Sequence, residues 1–207
     1  TPDATARIIE RAWKRKILVV AHAGTTRTPG TLEGLFEAVE LANGHPVHLA
    51  HINAYCRGER SGSAVDDAQR ALQLLVDHSN TTSDSYLFSR NGAPGLCVHG
   101  MPESMVTRGW LQRGGYEETE AGLSDAIMEG FAWVSYERDL ENVFLRGKDA
   151  HKSWLDAGTD VAVSFEANPY SSFILLAIEK DEHGDFVVDM LCTDGGGIPR
   201  NVLIQNG

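Results

Sequence analysis

The chain has 207 residues, enough for one well-packed core, and its hydrophobic content of 42% and charged content of 23% are ordinary for a globular protein. The formal net charge is −11, which argues against nucleic acids and anionic membranes as partners because both need a basic face. Three widely spaced cysteines without a Cys-x-x-Cys pair exclude a disulfide scaffold and favour a reducing cytoplasm. We expect one domain fragment over 1–207.

The first predicted unit is a strand, a helix and a second strand. Residues 16–22 form a short apolar run with the branched residues typical of a strand that is buried on both faces of a parallel sheet. Apolar residues recur at helical spacing over 31–42, opposite three glutamates, and a second short strand covers 46–52. This order predicts a right-handed parallel crossover.

The alternation of strands and helices continues along the rest of the chain. A loop rich in glycine and proline covers 91–100. Periodicity predicts helices over 63–78, 123–137 and 140–155, and strands over 83–88, 161–165, 173–178 and 186–192. With no internal repeat and no linker, this pattern indicates an α/β protein.

Three polar residues lie at or just after the end of an apolar run that is predicted to be a strand: His22, His51 and Asp194. In α/β folds the carboxyl ends of parallel strands form the active-site face. Two imidazoles and a carboxylate that meet there suit a divalent transition metal such as zinc. A single histidine after an apolar strand is more often structural, so the predicted metal site depends on all three residues together.

Two motifs around these residues resemble the amidohydrolase superfamily, and within it the branch of D-aminoacylases and hydantoinases. They are Leu-Val-Val-Ala-His-Ala-Gly-Thr from position 18 and, after a helix, Pro-Val-His-Leu-Ala-His from position 46. By this resemblance His22 ends barrel strand five and His51 ends strand six, while 83–86 begins strand seven and 188–195 contains strand eight. The resemblance implies the second half, about strands 5–8, of a TIM-like (β/α)8 metal-dependent hydrolase barrel.

The resemblance also implies a role for each residue. His22 and His51 would bind one or two divalent metal ions, with zinc expected. Asp194 would contact the metal, act as general base toward the bound water and pass the proton to the leaving nitrogen. The implied activity is hydrolysis of a C–N bond in a small cyclic amide or N-acyl compound.

Further residues lie in segments that follow the predicted strands, and we expect them to contact substrate. Arg57 carries a guanidinium that suits a carboxylate, although a solvated loop explains its position equally well. The glycine run that begins at 195 suits an anionic group, although a flexible turn is the simpler interpretation. The expected substrate-binding residues are Asn53, Tyr55, Arg57, Tyr86 and Gly195.

The chain lacks the His-x-His pair that follows strand one in this family. Half a barrel would also leave sheet edges and an apolar face exposed, which a soluble protein does not tolerate. We therefore expect a partner polypeptide that carries the first half with its His-x-His, and consider a further chain for the C-terminal segment. Two alternatives stay open: an N-terminal-nucleophile hydrolase that uses Thr1, and a non-catalytic scaffold subunit.

Overall fold

The computed structural model describes residues 1–23, 30–138 and 141–192. These residues divide into two compact units. The first contains Thr1–Ser89 and resumes at Asn168, and the second contains Arg90–Ala167. The expectation of one domain fragment over 1–207 stays a prediction, and along the chain the second unit lies between two segments of the first.

The helices and strands are numbered along the chain. The helices are α1 (Pro2–Lys14), α2 (Glu33–Ala42), α3 (Ala64–Asp77), α4 (Met105–Gly114), α5 (Glu120–Met128), α6 (Gly147–Asp156) and α7 (Tyr170–Ile178), with a short 3₁₀ helix at Ile52–Tyr55. The strands are β1 (Val19–Ala21), β2 (Val47–Leu49), β3 (Thr81–Tyr86), β4 (Arg90–Pro94), β5 (Cys97–Val98), β6 (Met101–Pro102), β7 (Ala132–Arg138), β8 (Glu141–Leu145), β9 (Ala162–Glu166) and β10 (Met190–Cys192).

The first unit is built on a parallel sheet with the strand order β1-β2-β3-β10. Helix α2 connects β1 to β2 and helix α3 connects β2 to β3, which confirms the α/β class and the predicted parallel crossover. In the register of this sheet, His48 of β2 lies opposite Val20 of β1 and Thr82 of β3. The carboxyl ends of β1, β2 and β3 therefore lie at one edge.

Helix α3 shows how the sequence specifies this unit. Its N-cap is Ser63, whose hydroxyl accepts a hydrogen bond from the Asp66 N–H at 3.1 Å. Its apolar stripe is buried in the core of the first unit at Ala68, Ala71, Leu72 and Leu75. Full burial of each leucine contributes roughly 1.5–3 kcal/mol, so packing of this stripe stabilises the helix more than its cap does.

Strand β1 differs from its prediction, because it is shorter and exposed. It is an edge strand of the described sheet and pairs with β2. Ile17, Leu18 and Val20 are 59%, 53% and 61% exposed. The expected burial on both faces is therefore not found in the part of the chain that the structure describes.

Two apolar segments near the C-terminal side were also predicted incorrectly. The segment 173–178 is not a strand but part of helix α7, with Phe173 and Leu176 buried and Ile174 exposed. A short apolar run does not by itself separate a strand from a buried helix, and the three-residue spacing of burial identifies the helix here. In 186–192, only Met190–Cys192 forms a strand.

The second unit contains an antiparallel sheet with the order β4-β9-β7-β8, together with helices α4, α5 and α6. The strand predicted over 161–165 is confirmed as β9. The predicted loop 91–100 instead contains most of β4 and all of β5. The helix predicted over 123–137 ends at Met128 and β7 follows it after Gly130, whose φ of 81° stops the helix. The helix predicted over 140–155 is likewise a strand followed by a helix.

Candidate functional site

The site begins with two histidines that follow neighbouring strands. His22 comes directly after β1, and His51 comes two residues after β2. Because β1 and β2 are parallel and paired, their carboxyl ends bring these side chains to the same edge. The distance between His22 Nδ1 and His51 Nε2 is 3.0 Å, and the two rings meet edge to face. The structure thus brings together two of the three predicted metal ligands.

The distance between the two nitrogens suits a shared metal ion. Two nitrogens on one tetrahedral zinc, each at about 2.05 Å from the ion, are about 3.3 Å apart. A hydrogen bond between two neutral imidazoles has a similar length, since one ring then donates and the other accepts. Imidazole is a preferred ligand of zinc, copper, iron and nickel, so the residues present fit the expected ion.

His51 has an unusual backbone conformation. Its φ of 40° and ψ of 59° lie in the left-handed region, which is uncommon for a residue with a side chain. It forms the N-cap of the 3₁₀ helix Ile52–Tyr55, so the chain turns sharply just after β2. Such a conformation costs on the order of 1–3 kcal/mol and persists only where the surroundings hold it.

Asp84 of β3 provides a contact that holds this conformation. Its Oδ1 accepts a hydrogen bond from the His51 N–H at 2.7 Å, and from the Cys192 thiol with an Sγ–O distance of 3.2 Å. Its Oδ2 lies 2.9 Å from His48 Nε2. Burial opposes ionisation of this carboxyl, but the hydrogen bonds from His48, Cys192 and His51 hold the pKa of Asp84 below its ordinary value.

His48 of β2, three residues before His51, is buried, with 4% of its surface exposed. Its Nδ1 is 2.9 Å from the Thr82 hydroxyl oxygen. Beside an ionised Asp84, we assign the proton to Nε2, so that His48 donates to Asp84 and accepts from Thr82. The spacing of three residues predicts that His48 and His51 lie on opposite faces of one strand and that His48 has a structural or supporting role. Strand β2 ends at Leu49, so this premise does not apply to His51, but the contacts of His48 are those of a supporting residue.

The predicted substrate residues on the 3₁₀ turn lie close to the histidines. Tyr55 is buried, and its ring stacks on His51 with a centroid distance of 5.9 Å. Asn53 is fully buried, and its side-chain oxygen accepts a hydrogen bond from the Tyr86 N–H at 3.0 Å. Asn53 therefore joins the 3₁₀ turn to the end of β3, while its contact with substrate stays a prediction.

Tyr86 and Arg57 are connected through Asn168. The amide nitrogen of Asn168 donates to the Tyr86 hydroxyl at 2.8 Å, and the Asn168 side-chain oxygen accepts from Arg57 Nε at 3.2 Å. Arg57 Nη1 also donates to the Gly30 carbonyl at 3.3 Å. Tyr86 is 1% exposed, whereas Arg57 is only partly buried. Of these two, Arg57 is the more accessible to a ligand.

Asp194 and Gly195 lie outside the described residues. The last described strand ends at Cys192, two positions earlier in the sequence. Within the described ranges, no group of three or more His, Cys, Asp or Glu side chains is arranged to hold a metal ion. The predicted ligands that this part of the chain contains are thus the pair His22 and His51.

The role of Asp84 was not predicted from the sequence. A weak signal exists, because Thr82, Asp84 and Tyr86 alternate along β3 and so share one face of the strand. What the sequence does not show is that this face meets His48 and the turn at His51. Separately, none of the described helices is long and apolar enough to cross a bilayer.

No protein-family model and no curated protein matches the chain. One solved structure to which the chain has a likeness is a D-aminoacylase mutant in complex with copper chloride, which is 10% identical with a TM-score of 0.42 over 83% of this chain and 33% of that one. Another is the formyltransferase/hydrolase complex FhcABCD from Methylorubrum extorquens in complex with methylofuran, 18% identical with a TM-score of 0.39 over 86% of this chain and 28% of that one. The chain spans about a third of the length of each. At these scores neither structure supports a conclusion about activity. A proposal about activity must rest on the geometry of the site.

Proposed function

We propose that the chain is the second half of a metal-dependent amidohydrolase barrel that hydrolyses a C–N bond in a small cyclic or N-acylated amide. The observation that carries the proposal is the pair of ring nitrogens on His22 and His51, 3.0 Å apart beyond the ends of neighbouring parallel strands. This edge of a parallel sheet is where α/β enzymes assemble their sites.

The residues of this chain would divide the chemistry between them. His22 and His51 would hold the ion as neutral imidazoles through Nδ1 and Nε2. A divalent ion such as zinc, when bound, lowers the pKa of its water toward neutrality and polarises the scissile carbonyl. We assign to Asp194 the general-base step, in which it takes a proton from the attacking water and delivers it to the leaving nitrogen.

Arg57 would supply the main polar contact to the substrate. Its guanidinium is already oriented by Asn168 and Gly30, so less side-chain entropy is lost when it binds a carboxylate. Substrates with a carboxylate near the scissile amide are therefore favoured. Asn53, Tyr55, Tyr86 and Gly195 remain the other predicted contacts.

The partner proposal has its own support in exposed apolar residues on both edge strands. Ile17 and Leu18 just before β1 and Val20 within it are exposed, as are Met190 and Leu191 of β10. Open strand edges with apolar side chains are sites where further strands add. We propose that a polypeptide with the first half of the barrel and its His-x-His covers β1.

Intact mass spectrometry of the purified protein, native and denatured, with elemental analysis of the same sample tests this function. A second polypeptide that carries a His-x-His and co-purifies with zinc or a similar metal is the expected result. A folded chain that is alone and metal-free would overturn both the hydrolase and the partner. A complex without metal would instead favour the scaffold subunit.

The alternative that uses Thr1 as a nucleophile has less support. That architecture requires layers of antiparallel sheet, whereas the first unit contains a parallel one. Thr1 is the exposed N-cap of α1, and its carbonyl accepts hydrogen bonds from the N–H groups of Ala4 and Thr5. Activity that survives Thr1→Ala would exclude this alternative.

A further inference from the structure

We infer that Asp84 is a positioning residue, which holds the backbone of His51 so that its ring faces His22, and that His48 and Thr82 orient the Asp84 carboxylate. The inference rests on the proposed function, in which His22 and His51 bind a metal ion. It adds residues that neither contact the ion nor react, but on which the geometry of the ligand pair depends.

The Asp84 carboxylate lies against three donors. Oδ1 of Asp84 accepts from the His51 N–H and from the Cys192 thiol, and Oδ2 faces His48 Nε2. The side chain is only 16% exposed. Its three donors come from the segment after β2, from β2 itself and from β10. Asp84 therefore joins the carboxyl ends of three neighbouring strands.

The contact between Asp84 and the His51 N–H maintains an unusual backbone conformation at His51. His51 has a φ of 40°, and a residue with a Cβ leaves the left-handed region when nothing retains it. A change of φ at His51 rotates its Cα–Cβ bond and so moves the ring relative to His22. The hydrogen bond of 2.7 Å from the His51 N–H to Asp84 fixes the peptide plane before His51, and the 3₁₀ turn Ile52–Tyr55 fixes the chain after it, so that together they hold φ at His51. A charged acceptor makes the bond stronger than a neutral one would.

Two side chains, His48 and Thr82, hold the Asp84 carboxylate in its orientation. Thr82 and Asp84 are two residues apart in β3 and so lie on one face, and His48 pairs with Thr82 in the sheet register. The hydroxyl of Thr82 fixes the His48 ring at Nδ1, and the ring fixes Asp84 at Oδ2. The contacts thus connect Thr82 of β3 to His48 of β2, His48 to Asp84 of β3, and Asp84 to His51, the candidate ligand.

Asp84→Ala tests the inference against two comparison variants. Asp84→Asn keeps an oxygen that can accept from the His51 N–H, and a neutral His48 can change tautomer to accept from the new amide. Asp77→Ala removes an exposed carboxylate whose contact is with Gln73 on the same helix. Each variant is studied as the protein purifies, together with any partner polypeptide that remains bound, and this chain is labelled with ¹⁵N and ¹³C at histidine.

The first measurement is metal-free NMR of His51. In the parent chain we expect a protected His51 amide and an Overhauser contact between the rings of His22 and His51. Asp84→Ala should lose both signals, while Asp84→Asn and Asp77→Ala should keep them. Retention of amide protection and ring contact in Asp84→Ala would overturn the inference.

The second measurement is titration with Co²⁺, followed by its visible absorption. We expect Asp84→Ala to weaken binding by about 10- to 100-fold, as loss of an outer partner of a ligating histidine does, and Asp84→Asn to rescue most of it. Equal affinity of Asp84→Ala and the parent would also overturn the inference. A parent that binds no Co²⁺ would contradict the proposed function, and the NMR result would still decide the inference.

A milder variant covers the case in which Asp84→Ala does not fold. Thr82→Val preserves shape and removes the hydroxyl at the far end of the chain of contacts. We expect faster exchange of the His51 amide in this variant than in the parent. Unchanged exchange would show that the support behind Asp84 has no effect on His51.

Discussion

His22 and His51 are 29 residues apart in the sequence, and their Nδ1 and Nε2 atoms are 3.0 Å apart in space. One helix, α2, and the parallel pairing of β1 with β2 produce this approach. The two imidazoles reach each other from separate strand ends, so their separation depends on the sheet register and on the turn at His51.

Replacement of either histidine should remove the metal. For His22→Ala and His51→Ala we expect affinity for Co²⁺ or Zn²⁺ to fall by more than the roughly 100-fold limit seen for outer partners, because a direct ligand is lost. Calorimetric titration checks this. His183→Ala is the control, since its side chain is 74% exposed in a turn. Unchanged binding in both site variants would refute the metal assignment.

A charge on the β1 edge should block the proposed partner without unfolding the chain. Val20 is 61% exposed, so Val20→Lys should change the free energy of unfolding by no more than about 0.5 kcal/mol. It should nevertheless reduce recovery of the partner in native mass spectrometry. The matched control is Val76→Lys on α3, where the valine is 53% exposed. Equal recovery with both variants would show that β1 is not the docking edge.

The cysteines should differ in their rates of alkylation. Burial, and then the charge of Asp67, raise the pKa of the Cys56 thiol well above its ordinary value. Burial and the charge of Glu120 raise the pKa of Cys97 to about 11. Since the thiolate is the nucleophile, iodoacetamide at mildly alkaline pH should modify Cys97 slowly and Cys56 only after unfolding. Peptide mass mapping measures both rates.

The variant Glu120→Gln isolates the electrostatic part of this prediction. It removes a negative charge near Cys97 and should lower the pKa of that thiol and speed its alkylation. Cys56 should be unaffected by it. Alkylation of Cys56 in the native chain at the rate of Cys97 would contradict its burial.

Tyr116 should titrate later than an ordinary tyrosine. Its hydroxyl donates to Glu129 at 2.7 Å, and this hydrogen bond, with burial and the charge of Glu129, raises its pKa to about 12. A raised pKa means that folding favours the neutral phenol. The resulting stabilisation is complete below the ordinary value of about 10 and is lost as the pH rises through about 12.

Absorbance at 295 nm follows the phenolate and tests the assignment. Glu129→Gln should return the pKa of Tyr116 toward its ordinary value, because the charge is gone. Tyr116→Phe should remove the late step altogether and so identifies it. An identical titration curve for Glu129→Gln and the parent would rule out the proposed cause.

The cap of α3 should contribute measurably to the stability of the first unit. Ser63→Ala removes the acceptor of the Asp66 N–H and should lower the free energy of unfolding by about 0.5–2 kcal/mol. Ser63→Asp should restore most of the loss, because aspartate also caps helices well. Urea denaturation compares the three proteins. Equal midpoints would mean that water replaces the hydroxyl without cost.

Local patterns were sufficient to predict the crossover over 16–52, since α2 and its flanking strands differ clearly in periodicity. They failed over 173–178, where a run of apolar residues fits both a strand and a helix. They also failed over 123–137, where α5 and β7 were merged into one helix although Gly130 separates them. The missing information is tertiary: which side of each segment is buried.

The approach of His22 to His51 could be predicted from their places after two apolar strands, because parallel strands align their ends. The contact between Asp84 and His51 could not. It depends on the register that sets His48 opposite Thr82 and on the left-handed turn at His51, and neither has a local sequence signal. Likewise, Asn53 and Tyr86 fit a substrate-binding prediction by position, yet their buried mutual contact follows only from the packed turn.

A hydrogen bond of 2.8 Å joins the Asn168 N–H to the Ser89 carbonyl. Ser89 and Asn168 flank the whole of 90–167, so the chain leaves the first unit and re-enters it at adjacent positions. Segments whose ends meet in this way tolerate insertion and exchange, because the host chain is not stretched. Insertions or deletions within 90–167 should therefore leave β3, α7 and the histidine pair in place.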